Sequence, residues 1–154
     1  MSTGVECIIL IGLPGAGKST FYRNRFAGRY EHISKDLWPN ATGREARQQE
    51  LLHEMLSAGR SVVVDNTNPT VAERGRIISV AQRHAAKIIG YFFDVNTRAA
   101  VARNAQRTGK GKVPNVAIFT TAKRLQPPKV SEGFDELFRV QINEDESMQV
   151  SRIE

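Results

Sequence analysis

The chain has 154 residues, 40% of them hydrophobic and 25% charged, which is enough for one domain with a substantial buried core. No apolar run approaches the roughly 20 residues of a membrane-spanning helix, and the single cysteine excludes a disulfide within the chain. The first residues also lack the pattern of a secretory signal. We therefore expect one cytoplasmic domain over residues 1–154, with its core over about 5–142, a frayed tail over 143–154 and no membrane partner.

Positive charge is concentrated in one part of the chain. The formal net charge is +6, and residues 95–131 contain no Asp or Glu. The same segment carries a series of basic residues: Arg98, Arg103, Arg107, Lys110, Lys112, Lys123, Arg124 and Lys129. This distribution predicts a small basic lid over bound phosphates, and a solvated basic face is the alternative.

Apolar runs alternate with helical patterns along the chain. In order, we expect strands over residues 5–11, 32–34, 61–65, 87–93 and 138–142, and helices over about 18–26, 42–58, 69–84, 97–107 and 115–125. One helical turn is expected over 133–137, and 108–114 should be a mobile loop. The alternation predicts an α/β fold with a mostly parallel five-stranded sheet, helices on both faces, and ligands at the carboxyl ends of the strands.

A glycine-rich segment joins the first strand to the first helix. Its sequence is Gly12-Leu13-Pro14-Gly15-Ala16-Gly17-Lys18-Ser19, which matches the phosphate-binding loop G-x-x-x-x-G-K-[ST]. In such a P-loop, backbone N–H groups surround the phosphates, the lysine reaches the β- and γ-phosphates, and the hydroxyl ligates Mg²⁺. A plain glycine-rich turn is the alternative. The match in a strand–loop–helix context predicts a P-loop NTPase fold with ATP and Mg²⁺ as cofactors.

Carboxylates follow two other strands. Asp36 comes just after the second strand, where it could accept a proton from an acceptor hydroxyl, although a turn cap explains it equally well. Asp65 ends the third strand in the position of a Walker-B carboxylate acting on Mg²⁺, and an Asx turn with Thr67 is its alternative. With the P-loop, these residues converge on one edge of the predicted sheet.

Two arginines precede the loop of the basic segment. Arg103 and Arg107 are four residues apart, so both would lie on one face of the predicted helix. Guanidinium groups in that position could fold over the γ-phosphate as arginine fingers, and a solvated helix face is the alternative. His32, His53 and His84 show no metal-ligand spacing and receive no role.

Several segments together resemble the polynucleotide 5′-hydroxyl kinases. They occur in the same order and with similar spacing: residues 12–20, Ile33-Ser34-Lys35-Asp36, Val64-Asp65-Asn66-Thr67-Asn68-Pro69, residues 103–107 with Val113-Pro114, and Ser131-Glu132-Gly133-Phe134. Over about residues 5–142 the chain is similar to the kinase domain of animal polynucleotide kinase/phosphatase, and more distantly to the phage enzyme.

This resemblance implies ATP-dependent transfer of the γ-phosphate to a 5′-hydroxyl end of DNA or RNA. By position, Asp36 resembles the general base, Lys18 and Ser19 the P-loop pair, and Arg107 the lid arginine that contacts the transferring phosphate. The P-loop through Thr20, with Arg103 as a further match, would hold the nucleotide. Asp65 and Asn66 match family positions whose side chains line the acceptor and phosphate site. Ser19 and Asp65 would be the residues that bind the metal.

The chain departs from the family pattern near Asp36. Pro39 stands where the phage enzyme has an arginine, for which Arg44 or Arg47 could substitute. The family's Asn-Arg-Asp triplet appears as Ser34-Lys35-Asp36, and the chain contains no phosphatase motif. Two other functions remain open: a P-loop kinase that phosphorylates a nucleoside, sugar or antibiotic hydroxyl, and a nucleotide-binding module without catalysis.

Overall fold

Each of the five predicted strands and five predicted long helices is present in a computed structural model, which describes residues 4–39 and 41–154 and only the backbone of Lys110. The strands are β1 (Glu6–Ile11), β2 (Glu31–Ile33), β3 (Val62–Asp65), β4 (Lys87–Phe93), β5 (Glu136–Ile142) and β6 (Met148–Arg152). The helices are α1 (Lys18–Arg25), α2 (Arg44–Ser57), α3 (Val71–Arg83), α4 (Thr97–Ala105) and α5 (Asn115–Arg124). Short 3₁₀ turns cover Lys35–Leu37, Gly109–Gly111 and Val130–Glu132. The expectation that the chain has no secretory signal concerns its first residues, of which residues 1–3 lie outside the described ranges.

The sheet has the strand order β2-β3-β1-β4-β5-β6. The first five strands in this order pair in parallel, and β6 pairs antiparallel to β5. Because parallel strands end at the same edge, the segments that follow β1, β2 and β3 meet there. That edge carries the P-loop, the turn that contains Asp36, and Asp65.

The expectation of five strands and a frayed tail is wrong. Residues 148–152 form β6, whose register runs from Phe138 opposite Arg152 to Ile142 opposite Met148. A tight turn makes this hairpin: the backbone N–H of Asn143 donates to the carbonyl of Ser147 at 2.8 Å, and Glu146 has a φ of 69°. The polar turn hid the strand, because its apolar alternation is limited to Met148 and Val150.

Both faces of the sheet are covered, as the continuous apolar run of β1 requires. Alternate β1 residues point to opposite faces. Cys7, Ile9 and Ile11 pack in one cluster with residues of α2 and α3, and Ile8 and Leu10 pack in another with Phe21 of α1. Cys7 is fully buried, as the sequence predicted, and burial raises the pKa of its thiol to about 12.

Two helical predictions differ from the structure. The expectation of a helical turn over 133–137 is wrong. Gly133 ends the preceding 3₁₀ turn with a φ of 123°, and β5 begins at Glu136. α4 ends at Ala105, so Arg107 lies beyond the helix. None of the helices within the described ranges is both long and apolar enough to cross a membrane.

A fully buried arginine ties together three segments around the sheet edge. Arg74 of α3 donates from Nε to Glu132 at 2.8 Å, and its Nη atoms donate to the carbonyls of Asn68 at 3.0 Å and Gln126 at 2.9 Å. These contacts join the loop after β3, the segment after α5, and the turn before β5. A buried charge of this kind is retained only when it is fully paired.

We expect Arg74→Met to lower the free energy of unfolding by about 3–5 kcal/mol, because it leaves Glu132 buried without its partner. Denaturant unfolding measures this change. Arg83→Ala is the matched control, since Arg83 is an exposed arginine on the same helix, and it should change stability by less than about 0.5 kcal/mol. Similar losses for the two variants would contradict the role of the buried network.

Candidate active site

The backbone of the P-loop takes a conformation that only glycine permits at two positions. Gly15 has a φ of 82°, and a Cβ atom there would lie 2.6 Å from the carbonyl oxygen of Ala100 in α4. Gly17 has a φ of 97°, and its Cβ would lie 3.1 Å from the side chains of Ile142 and Met148. The loop is therefore enclosed by α4 on one side and by the β5–β6 hairpin on the other, and a side chain at Gly15 would clash with the backbone of α4.

Lys18 is buried beneath this loop. Its side chain is 8% exposed, and its ammonium donates to the carbonyls of Gly12 at 2.9 Å and Leu13 at 2.7 Å. Burial lowers the pKa of Lys18 to about 8. The charges of Asp65 and Asp36 raise this pKa and that of Arg107 lowers it, so all three groups lie within electrostatic reach of the ammonium.

Ser34, rather than Asp36, caps the turn after β2. The Ser34 hydroxyl accepts a hydrogen bond from the backbone N–H of Asp36 at 3.2 Å. Asp36 is exposed, and its carboxylate takes no hydrogen bond and forms no salt bridge with any side chain that the structure describes, a set that does not include Lys110. The capping explanation of Asp36 is therefore wrong, and its carboxylate is available to a ligand.

Asp65 is held by a histidine that the sequence patterns leave without a role. His32 Nε2 lies 2.9 Å from Asp65 Oδ2, and the imidazole stacks on the ring of Tyr22 with centroids 4.1 Å apart. β2 and β3 are neighbours, so residues 33 positions apart in sequence meet across the sheet. The contact fixes one carboxylate oxygen of Asp65, and no hydrogen bond to the other is found within the described ranges.

Asn66 positions the turn that carries Asp36. Its side-chain oxygen accepts from the backbone N–H of Lys35 at 2.9 Å, and its nitrogen donates to the buried Gln48 of α2 at 2.7 Å. Arg44 also reaches this turn, donating to the Lys35 carbonyl at 3.4 Å. Arg47 instead lies over the ring of Trp38, with its guanidinium carbon 4.7 Å from the ring centroid.

The two lid arginines do not share a helical face. Arg107 lies past the end of α4, where it donates to the carbonyl of Gly111 at 3.0 Å and its charge acts on Lys18. Arg103 turns toward the hairpin and pairs with Glu146 at 2.6 Å. It lines a cleft of about 390 Å³ between α4 and the β5–β6 turn, together with Asn96 and Ile142. The side chain of Ile142 also lies close to Gly17 of the P-loop.

The loop between α4 and α5 is fastened to the site. The buried Asn104 donates to the carbonyl of Val113 at 2.6 Å and accepts from its N–H at 3.0 Å. Ile118 of α5 packs in one buried cluster with Leu13 of the P-loop and with Ala100. These contacts position the basic segment directly beside the phosphate loop.

The site has the features that an anion and a hard cation require. The N-terminus of α1 follows the glycines of the loop, and no acidic residue lies in its first turn. The hydroxyl-bearing Ser19 and Thr20 are exposed there. A buried ammonium, a serine hydroxyl and a carboxylate with one oxygen free form a donor set that fits a polyphosphate with Mg²⁺.

Sequence patterns missed the residues that support this site. His32, Gln48 and Asn68 act through contacts between distant parts of the chain, and Asn104 acts through Val113, nine residues away. Asn68, for example, donates from its buried side chain to the carbonyl of Leu10 at 2.7 Å and so joins the ends of β1 and β3. Only the resemblance to a D-N-T-N-P segment marked Asn68, and no local pattern marked the other three.

Comparisons with known proteins agree with this geometry. A family model described as an AAA domain matches residues 7–128. A bifunctional polynucleotide phosphatase/kinase of Schizosaccharomyces pombe is 29% identical over 133 residues, which cover 84% of the chain and 32% of that protein. A relative from Acanthamoeba polyphaga mimivirus, named for the same two activities, is 32% identical over 155 residues, covering 93% of the chain and 35% of the relative.

The chain thus spans about a third of the length of these curated relatives. Among solved structures, a fungal RNA kinase superposes with a TM-score of 0.69 at 20% identity, covering 95% of the chain and 80% of the kinase. A likeness at that identity establishes the fold alone. The expected α/β P-loop fold is confirmed.

The burial of Lys18 predicts a specific dependence of stability on pH. Its pKa falls from an ordinary value of 10.5, which the unfolded chain keeps, to about 8 in the folded protein, so the unfolded chain binds more protons between these values. Folding stability should therefore rise with pH across this window. Across this window, the free energy of unfolding of the wild type should rise by up to about 3 kcal/mol relative to that of Lys18→Met. Denaturant unfolding at several pH values measures this change. A constant difference between the two proteins would contradict the burial of a charged ammonium.

Proposed function

Since the chain belongs to the AAA domain family of P-loop proteins, we propose that it is an ATP-dependent kinase that phosphorylates a 5′-hydroxyl end of DNA or RNA. The observation that carries the proposal is that the P-loop with Lys18, the turn with Asp36, and Asp65 meet at one edge of the sheet. Arg107 lies close enough for its charge to lower the pKa of Lys18. The names of two curated relatives support the choice of acceptor.

The donor half of the reaction belongs to the P-loop. Backbone N–H groups of residues 12–20 would hold the phosphates, and Lys18 would exchange the carbonyls of Gly12 and Leu13 for phosphate oxygens. Ser19 and Asp65 would hold Mg²⁺, which when bound would supply positive charge that offsets the charge of the phosphates. The cleft lined by Arg103 has a volume suited to the nucleoside part of ATP.

The acceptor half centres on Asp36. A 5′-oxygen attacks the γ-phosphorus, its proton passes to the Asp36 carboxylate, and the bond from the γ-phosphorus to the β–γ bridging oxygen breaks to release ADP. Asp36 suits this role because its carboxylate is exposed and unpartnered within the described ranges while its backbone is fixed by Ser34 and Asn66. Arg107 would stabilise the charge on the transferring phosphoryl group.

The proposal is tested by transfer of a γ-labelled phosphate from ATP, with Mg²⁺, to a 5′-hydroxyl oligonucleotide. We expect the wild type to label the oligonucleotide, and Asp36→Asn to lower kcat by about 100-fold or more because the proton acceptor is lost. Glu50→Gln is the matched control, since Glu50 is an exposed carboxylate on α2, and it should retain wild-type activity.

A panel of nucleosides, sugars and antibiotics in the same assay separates the other functions. If a small hydroxyl compound is labelled and the oligonucleotide is not, the acceptor is a small molecule and not a polynucleotide. ATP turnover that is equal in the wild type and Asp36→Asn would instead indicate a nucleotide-binding module that does not use Asp36 as a base.

A further inference from the structure

Helix α5 presents two large apolar side chains to solvent. Val116 is 66% exposed and Phe119 is 49% exposed, and their spacing of three residues places them on one face. The opposite face is buried through Ile118, which packs against the P-loop residue Leu13. An exposed phenylalanine on a helix that already has a buried face is not needed for packing.

Two exposed lysines accompany this outer face. Lys123 lies four residues after Phe119 on the same face, and Lys112 is exposed just before the helix. Arg124 is the exception, because it pairs with Glu73 of α3. The helix belongs to the segment 95–131, which contains no acidic residue. An aromatic ring between lysines is the combination that binds single strands, with bases on the ring and phosphates on the cations.

Both ends of α5 are tied to neighbouring segments by hydrogen bonds. At its start, Asn104 holds Val113 through two hydrogen bonds. At its end, the backbone N–H of Gln126 donates to the carbonyl of Pro69 at 2.7 Å, and Arg74 binds the Gln126 carbonyl. The C-terminal end of α5 is therefore held at the loop that follows Asp65, and its N-terminal end is tied to α4.

We infer that Val116, Phe119 and Lys123 form a docking surface for the single strand that continues from the reacting 5′ end, a surface we call the α5 stripe. A base of that strand stacks on Phe119, and its phosphates contact Lys123 and Lys112. The inference rests on the proposed function, because it places the remainder of the acceptor. It concerns nucleotides beyond the one that reacts at Asp36.

A nucleic-acid strand suits this surface better than a second copy of the chain. Stable protein interfaces bury more than about 1,000 Å² in total, with an apolar centre, whereas the stripe offers two apolar side chains among lysines. Two copies meeting through this face would bring like charges together, which opposes association. A polyanion removes that repulsion and gains the stacking contact.

Acceptors of two lengths test the inference. For a single-stranded 5′-hydroxyl oligonucleotide of about ten nucleotides, Phe119→Ala should raise KM about tenfold or more and leave kcat near the wild-type value. For a nucleoside 3′-monophosphate, which is too short to reach the stripe, neither constant should change. Phe119→Trp should restore the oligonucleotide KM, because it restores an aromatic face. Val71→Ala, which removes an exposed apolar side chain on α3, is the control.

Each other result overturns the inference in a recognisable way. An unchanged oligonucleotide KM for Phe119→Ala excludes stacking on Phe119, and equal changes for both acceptors indicate a structural effect of the substitution. A wild-type dimer by light scattering that Phe119→Ala dissociates makes the stripe an interface between copies. Should the wild type phosphorylate neither acceptor, the proposed function fails, and fluorescence anisotropy with the same oligonucleotide decides the inference separately: equal binding by wild type and Phe119→Ala overturns it.

Discussion

The buried ammonium of Lys18 is the constraint on which the rest of the site depends. A charge removed from water must find partners, and here they are two carbonyls of its own loop with the charges of Asp65 and Asp36 nearby. The glycines allow the loop to close over the lysine, and the contact of Gly15 with Ala100 shows how little space remains. Phosphate oxygens can take the place of the carbonyls, so the loop holds a positive charge that can bind an anion.

Around this charge, the site is assembled from rigid parts. Asn66 and Ser34 fix the backbone at Asp36, His32 fixes one oxygen of Asp65, and Asn104 fixes the loop that carries Arg107. The loop over 108–114, which the sequence predicts to be mobile, carries a 3₁₀ turn, and the α5 helix that follows it is tied to neighbouring segments at both ends. Preorganised donors and acceptors of this kind lower the cost of reorganisation during a phosphoryl transfer.

Local patterns predicted the elements that have local causes. The P-loop follows from consecutive residues, and the ends of β1, β2 and β3 follow from apolar runs that stop at polar residues. The contact of His32 with Asp65, the buried Arg74 network and the pairing of Arg103 with Glu146 join residues more than 30 positions apart along the chain, beyond the reach of any periodicity. β6 was missed for a related reason, since an acidic turn resembles a solvated tail until its partner strand is known.

Transfer of a phosphoryl group to a terminal 5′-oxygen at this sheet edge is tested by the position of the transferred phosphate. After reaction with γ-labelled ATP, the product is digested to mononucleotides with a nuclease that leaves 5′-phosphates. We expect all label to appear as the 5′-phosphate of the terminal nucleotide, and Asp36→Asn to yield almost none. Label on a 3′-oxygen, or equal labelling by both proteins, would contradict it.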